Sequence, residues 1–378
     1  MTAPTSLTRP ALRWAIFCKV IDNHGDLGVC WRLSQDLAAR GQQVDLWVDD
    51  PQALRWMAPQ GCRGVTVRAW THPLDLQAND VGDVLVEAFG CEPPAEFLVA
   101  WAQHAKLRTE PGVWLNLEYL SAQPYVERHH GLISPVLSGP AKGLHKHFFY
   151  PGFSAKTGGL LREPMLMERL QQLVPSDWLA GLGVVPRANE RVVSLFCYEP
   201  EALLPLLSQW AKETTPTRLL ITAGRASQAV QAVALQLQTQ DPNWNAAHHL
   251  VLHTLPYLTQ VDYDHLLGSC DLNFVRGEDS LVRALWAGRP FVWQIYPQHD
   301  KAHHDKLDAF LDWLQAPASV RRLHHVWNGV NTADMAPIDL QALGACMQSA
   351  RQGLLAQRDL TTQLLEFVAQ QRQTAVAR

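Results

Sequence analysis

The sequence predicts two doubly wound α/β domains that face each other across a cleft. Three observations support this prediction. A chain of 378 residues is long for a single hydrophobic core. Short apolar runs alternate with amphipathic helical stretches in both halves, as parallel sheets covered by helices on both faces require. Between the halves, from Ser121 to Arg162, the alternation stops and Pro, Gly and His accumulate.

The first half begins with a buried strand from Trp14 to Val20 and an amphipathic helix from Gly28 to Arg40. After the next strand, Asp50-Pro51 predicts a helix start, because Asp suits the N-cap and Pro the first helical position. Ser154 to Gly159 has the composition of a loop. The further strands of this half are predicted at 44–48, 65–69, 83–88 and 113–117.

The alternation resumes in the second half. Strands are predicted at 192–197, 218–222, 250–255, 272–275 and 290–294, and helices at 201–212, 226–238, 261–269 and 280–287. The tail from Met335 to Arg378 is helical and long enough to return to the first domain. We therefore expect one domain at residues 1–165, with a helix at about 355–378 packed on it, and a second at 180–354.

The composition argues against several classes of protein. A net charge of −4 lacks the basic excess of a nucleic-acid binder. No segment approaches the ~20 apolar residues of a membrane helix, so no membrane association is expected. Met1 to Pro10 lacks the apolar core of a signal peptide. The 7 cysteines are scattered and form no CxxC pair, which indicates free thiols in a reducing cytoplasm.

An acidic segment, Asp22-Asn23-His24-Gly25-Asp26, directly follows the first strand. Ligands of open α/β sheets bind beyond the carboxyl ends of the strands, so this segment should border the cleft. It lacks a GxGxxG pattern, and Asp22 and Asp26 would repel a pyrophosphate. The segment therefore suits a cationic ligand or the acceptance of a proton. For Asp26, capping of the following helix is the alternative.

The segment Arg276-Gly277-Glu278-Asp279-Ser280 joins a buried strand to a helix. The free N–H groups and the dipole of a helix start attract anions, and Arg276 adds a fixed positive charge. Ser280 can cap the helix and donate to a phosphate. An ordinary helix cap is the alternative for this segment.

Aromatic residues end two other strands of the second half. Phe196, Tyr198 and Tyr257 would border the same cleft, where their faces can stack on a nucleobase. For each ring considered by itself, packing in the hydrophobic core is the alternative.

Two patterns of potential metal ligands have simpler explanations. Asp262-Tyr263-Asp264 spells DxD but begins an amphipathic helix, where Asp favours the first turn. His299, His303 and His304 have helical spacing but lack an HExxH pattern. No metal is expected.

The runs from Ile21 to Arg32 and from Asn273 to Ser280 closely resemble the EarP family, bacterial enzymes that rhamnosylate an arginine of translation elongation factor P. Further matching stretches lie at 116–121, 150–153, 157–160 and 286–298. The resemblance covers nearly the whole chain. It implies the GT-B glycosyltransferase fold, the donor dTDP-β-L-rhamnose, elongation factor P as partner, transfer with inversion, and no cofactor.

By the same resemblance the functional carboxylates are Asp22, Asp26 and Glu278. The residues that would hold the dTDP are Phe196, Tyr198, Tyr257, Gln260, Arg276, Gly277, Asp279 and Ser280. Further candidates for the cleft are Asn23, His24, Gly25, Glu118 and Tyr119. Two positions depart from the family pattern: His24 stands where Phe or Tyr is expected, and Tyr257 stands where Phe is expected.

Arginine is a difficult nucleophile, because its guanidinium has a pKa above ~12 and little free lone pair. An acidic pocket must orient it and accept a proton as the new bond forms. We assign Asp22 to this activation, Glu278 to the acidic clamp or to positioning the rhamnose, and Asp26 to holding the loop and its helix. Arg276, Ser280 and the helix start would stabilise the leaving dTDP.

Two alternatives stay open at this stage. A GT-B-like sugar-nucleotide epimerase would turn over the donor without a protein acceptor. A non-catalytic binder of elongation factor P or of a nucleotide sugar would leave the arginine unmodified.

Overall fold

The computed structural model describes residues 11–20, 24–77, 80–298, 301–331 and 335–376. Within these ranges the strands are β1 Arg13–Cys18, β2 Gln43–Val48, β3 Val65–Ala69, β4 Val84–Ala88, β5 Val113–Leu117, β6 Ile133–Pro135, β7 His145–Phe149, β8 Arg191–Leu195, β9 Thr217–Ile221, β10 Leu250–Thr254, β11 Leu272–Arg276 and β12 Phe291–Gln294. The helices are α1 Gly25–Ala39, α2 Leu54–Met57, α3 Ala95–Leu107, α4 Tyr125–His129, α5 Leu166–Gln172, α6 Pro175–Gly181, α7 Leu203–Lys212, α8 Arg225–Gln240, α9 Gln260–Ser269, α10 Gly277–Ala287, α11 Ala302–Trp313, α12 Ala318–Trp327, α13 Leu340–Leu355 and α14 Leu360–Val376.

The first domain is built on a seven-stranded sheet in the order β3-β2-β1-β4-β5-β7-β6. All its pairs are parallel except β6 with β7. The central register aligns Ile16 with Leu46 on one side and Val86 on the other. Helices cover both faces of this sheet, which is why the inner strands are mostly apolar on both faces rather than alternating.

The second domain is built on a five-stranded parallel sheet in the order β10-β9-β8-β11-β12. Phe274 in β11 aligns with Leu195 in β8 and with Val292 in β12. In each sheet the strand order reverses direction at one point, between β1 and β4 and between β8 and β11. Such reversals open a crevice at the carboxyl ends of the strands, and this topology confirms the predicted doubly wound fold.

The chain returns to the first domain at its end. Leu360, Leu364 and Val368 of α14 are buried in the same apolar cluster as Trp14 and Leu115 of the first sheet. At the crossing, the backbone N–H of Leu360 donates to the carbonyl of Leu160 at 2.9 Å, so the outgoing and returning segments lie side by side. The exact domain limits of 165 and 180 stay a prediction.

Three details of the sequence prediction are wrong. Helix α1 begins at Gly25 rather than Gly28, and α2 begins at Leu54 rather than at Asp50-Pro51. The Asp50 carboxylate instead accepts from the N–H of Gln52 at 3.0 Å, which closes a turn before the helix. The segment 121–162 is not wholly irregular, because it contains α4, β6 and β7.

None of the described helices combines the length and the apolar character that a membrane span requires.

Candidate active site

Two adjoining cavities lie between the domains, at the carboxyl ends of both sheets. The first, the aromatic cavity, has a volume of about 330 Å³, and its walls include Trp56, Phe196, Tyr198, Tyr257 and Arg276. The second, the acidic cavity, has a volume of about 540 Å³, and its walls include Asp26, Tyr119, Glu278, Asp305 and Lys306. The two share the wall formed by Gly25, Tyr198, Gly277, Glu278 and Asp279. Two helix starts, those of α1 at Gly25 and of α10 at Gly277, therefore serve both cavities.

Arg276 is one of three arginines among the described residues that line the aromatic cavity, and the other two, Arg32 and Arg225, pair with carboxylates. Its guanidinium carbon lies 4.3 Å from the ring centroid of Phe196 and 4.5 Å from that of Tyr198, and Nη1 donates to the Cys197 carbonyl at 3.1 Å. Burial lowers the pKa of Arg276 from its ordinary value, yet a guanidinium keeps its proton at neutral pH. The side chain thus carries a positive charge held between two aromatic faces.

Several helix starts border this cavity, among them Gly277 of α10 and Gly224 before α8. Gly277 has φ +68°, a left-handed backbone conformation that side chains disfavour, so the turn calls for glycine. The first N–H groups of a helix lack intrahelical acceptors and attract anions. The predicted capping role of Ser280 is wrong: Arg276 is the N-cap residue, and the Ser280 hydroxyl donates back to the Arg276 carbonyl.

The open end of the aromatic cavity combines rings from both domains. Tyr257, which is 60% exposed, lies 5.0 Å from Trp56 of α2, measured between ring centroids. His24 lies 6.1 Å from the same tryptophan. Tyr257 and His24 were predicted at this cleft from the sequence, whereas Trp56 was not. Its position in the connection after β2, at the same sheet edge as the acidic segment, is the signal that indicates it.

Two further predicted donor-binding residues also join the domains. Gln260 Nε2 donates to the Gly28 carbonyl of α1 at 3.0 Å. Asp279 Oδ1 lies 3.4 Å from Nε of Arg32 in α1. Both side chains border the aromatic cavity, and both hold α1 against the second domain.

Asp26 is a carboxylate of the acidic cavity, in the first turn of α1. Its Oδ2 accepts from the Tyr119 hydroxyl at 3.2 Å. Burial, followed by the nearby charge of Glu278, raises the pKa of Asp26 to about 6, and the Tyr119 hydrogen bond opposes this shift. The capping alternative for Asp26 is wrong, because His24 is the N-cap residue and makes no side-chain cap. Asp26 therefore does not cap α1, and its carboxylate lines the acidic cavity.

Glu278 is held by both of its oxygens. Oε2 accepts from the N–H of Leu120 in the first domain at 2.7 Å, and Oε1 pairs with Nζ of Lys306 in α11. Lys306 was not predicted from the sequence, although α11 follows the parallel strand β12, whose carboxyl end lies at the cleft edge of the second sheet. Glu278 thus links the start of α10 to the backbone of the first domain at Leu120 and to α11 at Lys306.

The remaining predicted residues divide into three groups. Gly25 lines both cavities and Tyr119 lines the acidic one. Glu118 lines neither: its carboxylate accepts from Asn116 Nδ2 at 2.8 Å, and burial raises its pKa. Asp22 and Asn23 lie outside the described residues.

A buried cluster of charges fixes α1 of the first domain to α9 and α10 of the second. Asp264 accepts from Arg32 at 3.2 Å, from Arg283 at 2.8 Å and from Arg169 at 2.8 Å. Burial alone would raise the pKa of Asp264, but these arginines outweigh it and hold the pKa below its ordinary value. Glu163 completes the cluster by pairing with Arg32 and Arg283. Asp264, the second carboxylate of the Asp262-Tyr263-Asp264 sequence, therefore has a structural role as the partner of these arginines.

The first carboxylate of that sequence belongs to a helix start, as predicted. The Thr259 side chain accepts from the N–H of Asp262 at 3.1 Å and caps α9. His303, one of the three spaced histidines, lines the acidic cavity, and its Nδ1 accepts from the N–H of Gln298 at 3.1 Å.

Comparison with known proteins agrees with this arrangement. Residues 14–369 match the family model of EarP, described as elongation-factor P (EF-P) rhamnosyltransferase. A protein-arginine rhamnosyltransferase of Pseudomonas aeruginosa is 46% identical over 79% of this chain and 81% of its own length. Another from Shewanella oneidensis is 35% identical over 96% of this chain and 99% of its own length.

Solved structures give the same result. One, described as the structural basis for EarP-mediated arginine glycosylation of translation elongation factor EF-P, superposes with a TM-score of 0.61 at 28% identity, over 95% of this chain and 99% of that one. A glycosyltransferase from Rickettsia africae shares the fold alone, with a TM-score of 0.51 at 8% identity over 96% and 99% of the two chains. The chain therefore belongs to the EarP family of elongation-factor P rhamnosyltransferases and is a glycosyltransferase with the GT-B fold.

Proposed function

We propose that this enzyme transfers L-rhamnose from dTDP-β-L-rhamnose to an arginine side chain of translation elongation factor P, with inversion at the anomeric carbon. The observation that carries the proposal is the wall shared by the two cavities. An aromatic, cationic cavity and an acidic cavity meet at Gly277 to Asp279, so a sugar placed there would have a leaving group on one side and a cationic acceptor on the other. Because the proposed acceptor, elongation factor P, acts in translation, the proposed reaction takes place in the cytoplasm.

The aromatic cavity suits the nucleotide of the donor. Tyr257 and Trp56 offer faces to a base at the open end, and Phe196 and Tyr198 flank Arg276 deeper in. As the glycosidic bond breaks, negative charge grows on the departing diphosphate. Arg276 and the N–H groups at the start of α10 can stabilise this charge without a metal.

The acidic cavity suits the acceptor. Asp26 and Glu278 can orient a guanidinium through charge-assisted hydrogen bonds. The nitrogen attacks the anomeric carbon, the bond to the dTDP oxygen breaks, and the nitrogen gives up one proton. With a pKa of about 6, Asp26 is ionised at neutral pH and sufficiently basic to accept that proton. Asp22 keeps its proposed role in activating the acceptor on the grounds of the sequence.

A single displacement explains the proposed inversion. The acceptor approaches from the acidic cavity while the leaving group departs into the aromatic cavity, so the two lie on opposite faces of the sugar. No covalent intermediate is needed, and the carboxylates serve as clamp and proton acceptor rather than as nucleophiles.

The decisive experiment mixes the purified enzyme, elongation factor P and dTDP-β-L-rhamnose and weighs the acceptor by mass spectrometry. A gain of one deoxyhexose on an arginine is expected, and its absence would refute the proposal. Donor turnover without acceptor would instead indicate an epimerase. NMR of the product sugar determines its anomeric configuration, and retention would contradict the single displacement.

Asp22→Asn tests the residue that lies outside the described ranges. The variant should lose transfer while it still binds dTDP, because the substitution removes the carboxylate charge that orients and activates the acceptor guanidinium and leaves the aromatic cavity intact. Normal turnover would contradict the role proposed for Asp22. Asp75→Asn, a change at an exposed carboxylate that lines neither cavity, serves as the matched control.

A further inference from the structure

Lys306 supplies the acidic cavity with a cation from the chain itself. Its Nζ pairs with Glu278 Oε1 and lies 6.0 Å from the ring centroid of Tyr119, whose hydroxyl contacts Asp26. Among the described residues that line this cavity, Lys306 is the one lysine or arginine, whereas four carboxylates line it: Asp26, Glu278, Asp279 and Asp305. The reaction proposed above gives Lys306 no task.

Glu278 does not depend on Lys306 for its orientation. Its second oxygen already accepts from the backbone N–H of Leu120, and the residue stands in the first turn of α10. Two fixed backbone elements therefore position the carboxylate. Lys306 instead reduces the negative charge of the acidic cavity and occupies Oε1 of Glu278.

We propose that Lys306 is a resident competitor for the acceptor: its ammonium fills the cationic subsite at Glu278 until the acceptor's guanidinium displaces it. The inference rests on the proposed function, in which the acceptor is an arginine. An ammonium is a compact point charge, whereas a guanidinium presents a planar fork of donors that can contact both carboxylate oxygens. The acceptor thus forms an interaction that Lys306 cannot match.

Lys306 raises the affinity for Glu278 that a cation needs in order to bind in the acidic cavity. A simple amine exchanges one ammonium–carboxylate pair for another and gains no net ion pair. Lys306 therefore weakens the binding of small cellular amines and of lysine side chains in this subsite. It does so at the cost of some affinity for the true acceptor.

The geometry allows Lys306 to leave. Its side chain is 21% exposed and that of Glu278 is 22% exposed, so both reach solvent. The flexible four-carbon stem can carry the ammonium outward without moving α11. Since a partly exposed ion pair contributes only modestly, the competition should weaken the binding of any cation by about fivefold.

The test compares three variants in steady-state transfer to elongation factor P. Lys306→Met keeps the length of the stem and removes the charge. It should lower the acceptor KM about fivefold and change kcat less than KM. Lys306→Arg installs a better competitor and should raise the acceptor KM. The matched control is Lys156→Met, which removes a lysine paired with Glu127 at 3.3 Å that lines neither cavity, and it should leave the acceptor KM unchanged.

A second readout needs no transfer. n-Butylguanidinium and n-butylamine are titrated against each variant by ligand-observed NMR. Because both probes must displace the same ammonium, Lys306→Met should strengthen the binding of both by a similar factor. Thermal unfolding and dTDP affinity, unchanged from the native enzyme, establish that the variant is folded.

The inference is overturned if Lys306→Met raises the acceptor KM, lowers kcat more than it lowers KM, or leaves the probe affinities unchanged. The first two results would mean that Lys306 supports Glu278 rather than competes for it. If the native enzyme leaves elongation factor P unmodified, the proposed function fails. The binding of the two probes still decides the role of Lys306 in that case.

Discussion

The rate of transfer should follow the ionisation of Asp26. Its pKa is raised to about 6, and the deprotonated form is the one that can accept a proton. For a single titrating group, about one-eleventh is ionised one pH unit below the pKa, and nearly all is ionised at pH 7.5. The value of kcat/KM for the acceptor should therefore fall about tenfold between pH 7.5 and pH 5.

Tyr119→Phe shifts this profile in a known direction. The Tyr119 hydroxyl donates to the Asp26 carboxylate and lowers its pKa. Removing that hydrogen bond should raise the pKa, so the midpoint of the rate profile moves to higher pH. Glu278→Gln has the opposite sign, because it removes a like charge that raises the pKa of Asp26.

The assay measures initial rates of acceptor modification across this pH range at low acceptor concentration. The guanidinium of the acceptor stays protonated throughout, so it contributes no titration. His303 lines the same cavity, and His303→Gln is the control for an imidazole. A midpoint near 4, the ordinary value for an aspartate, would refute the reasoning. So would a midpoint that Tyr119→Phe leaves in place or that His303→Gln removes.

Three other predictions address the donor, the domain contact and metal dependence. Arg276→Met should weaken dTDP binding about 10- to 100-fold in calorimetry, because a charge-assisted contact is lost, and an unchanged Kd would contradict its phosphate role. Asp264→Asn should lower the free energy of unfolding by about 3–5 kcal/mol in denaturant titration, since it leaves buried arginines without their shared carboxylate. Asp312→Asn, in an exposed pair with Arg321, is its control and should cost at most about 1 kcal/mol; equal effects would contradict the importance of the buried cluster. A chelator should leave the transfer rate unchanged, because Arg276 and a helix start serve the leaving group, and a loss that Mg²⁺ restores would refute metal independence.

The alternation of apolar runs predicted both sheets because inner parallel strands are buried on both faces and are therefore predominantly apolar. β7, His145–Phe149, escaped prediction for a related reason. Two of its five residues are histidines, and only its pairing with β5 and β6 makes it a strand. Tertiary context, rather than local propensity, determines such a strand.

The site was predictable where it follows directly from a strand. Arg276 to Ser280 and Phe196 to Tyr198 lie at the point where the second sheet reverses its strand order, so the topology alone places them at the crevice. The contacts between residues distant in the chain could not be predicted in this way. Glu278 and Leu120 are 158 positions apart and meet only because the two domains dock. Asp26 and Tyr119 are 93 positions apart within the first domain, and the folding of that domain brings them together.

The side-by-side crossing of the chain at Leu160 and Leu360 has a mechanical consequence. Two segments of the chain pass between the domains at one place and are hydrogen-bonded to each other there. Arg162 reinforces this joint by donating to the carbonyls of Leu355 and Gln357. A rotation of the domains about this joint would leave both crossings in place, whereas a translation of one domain past the other would break the hydrogen bond between them. Such a rotation would also have to separate Arg32 from Asp264, so the buried charge cluster sets its cost.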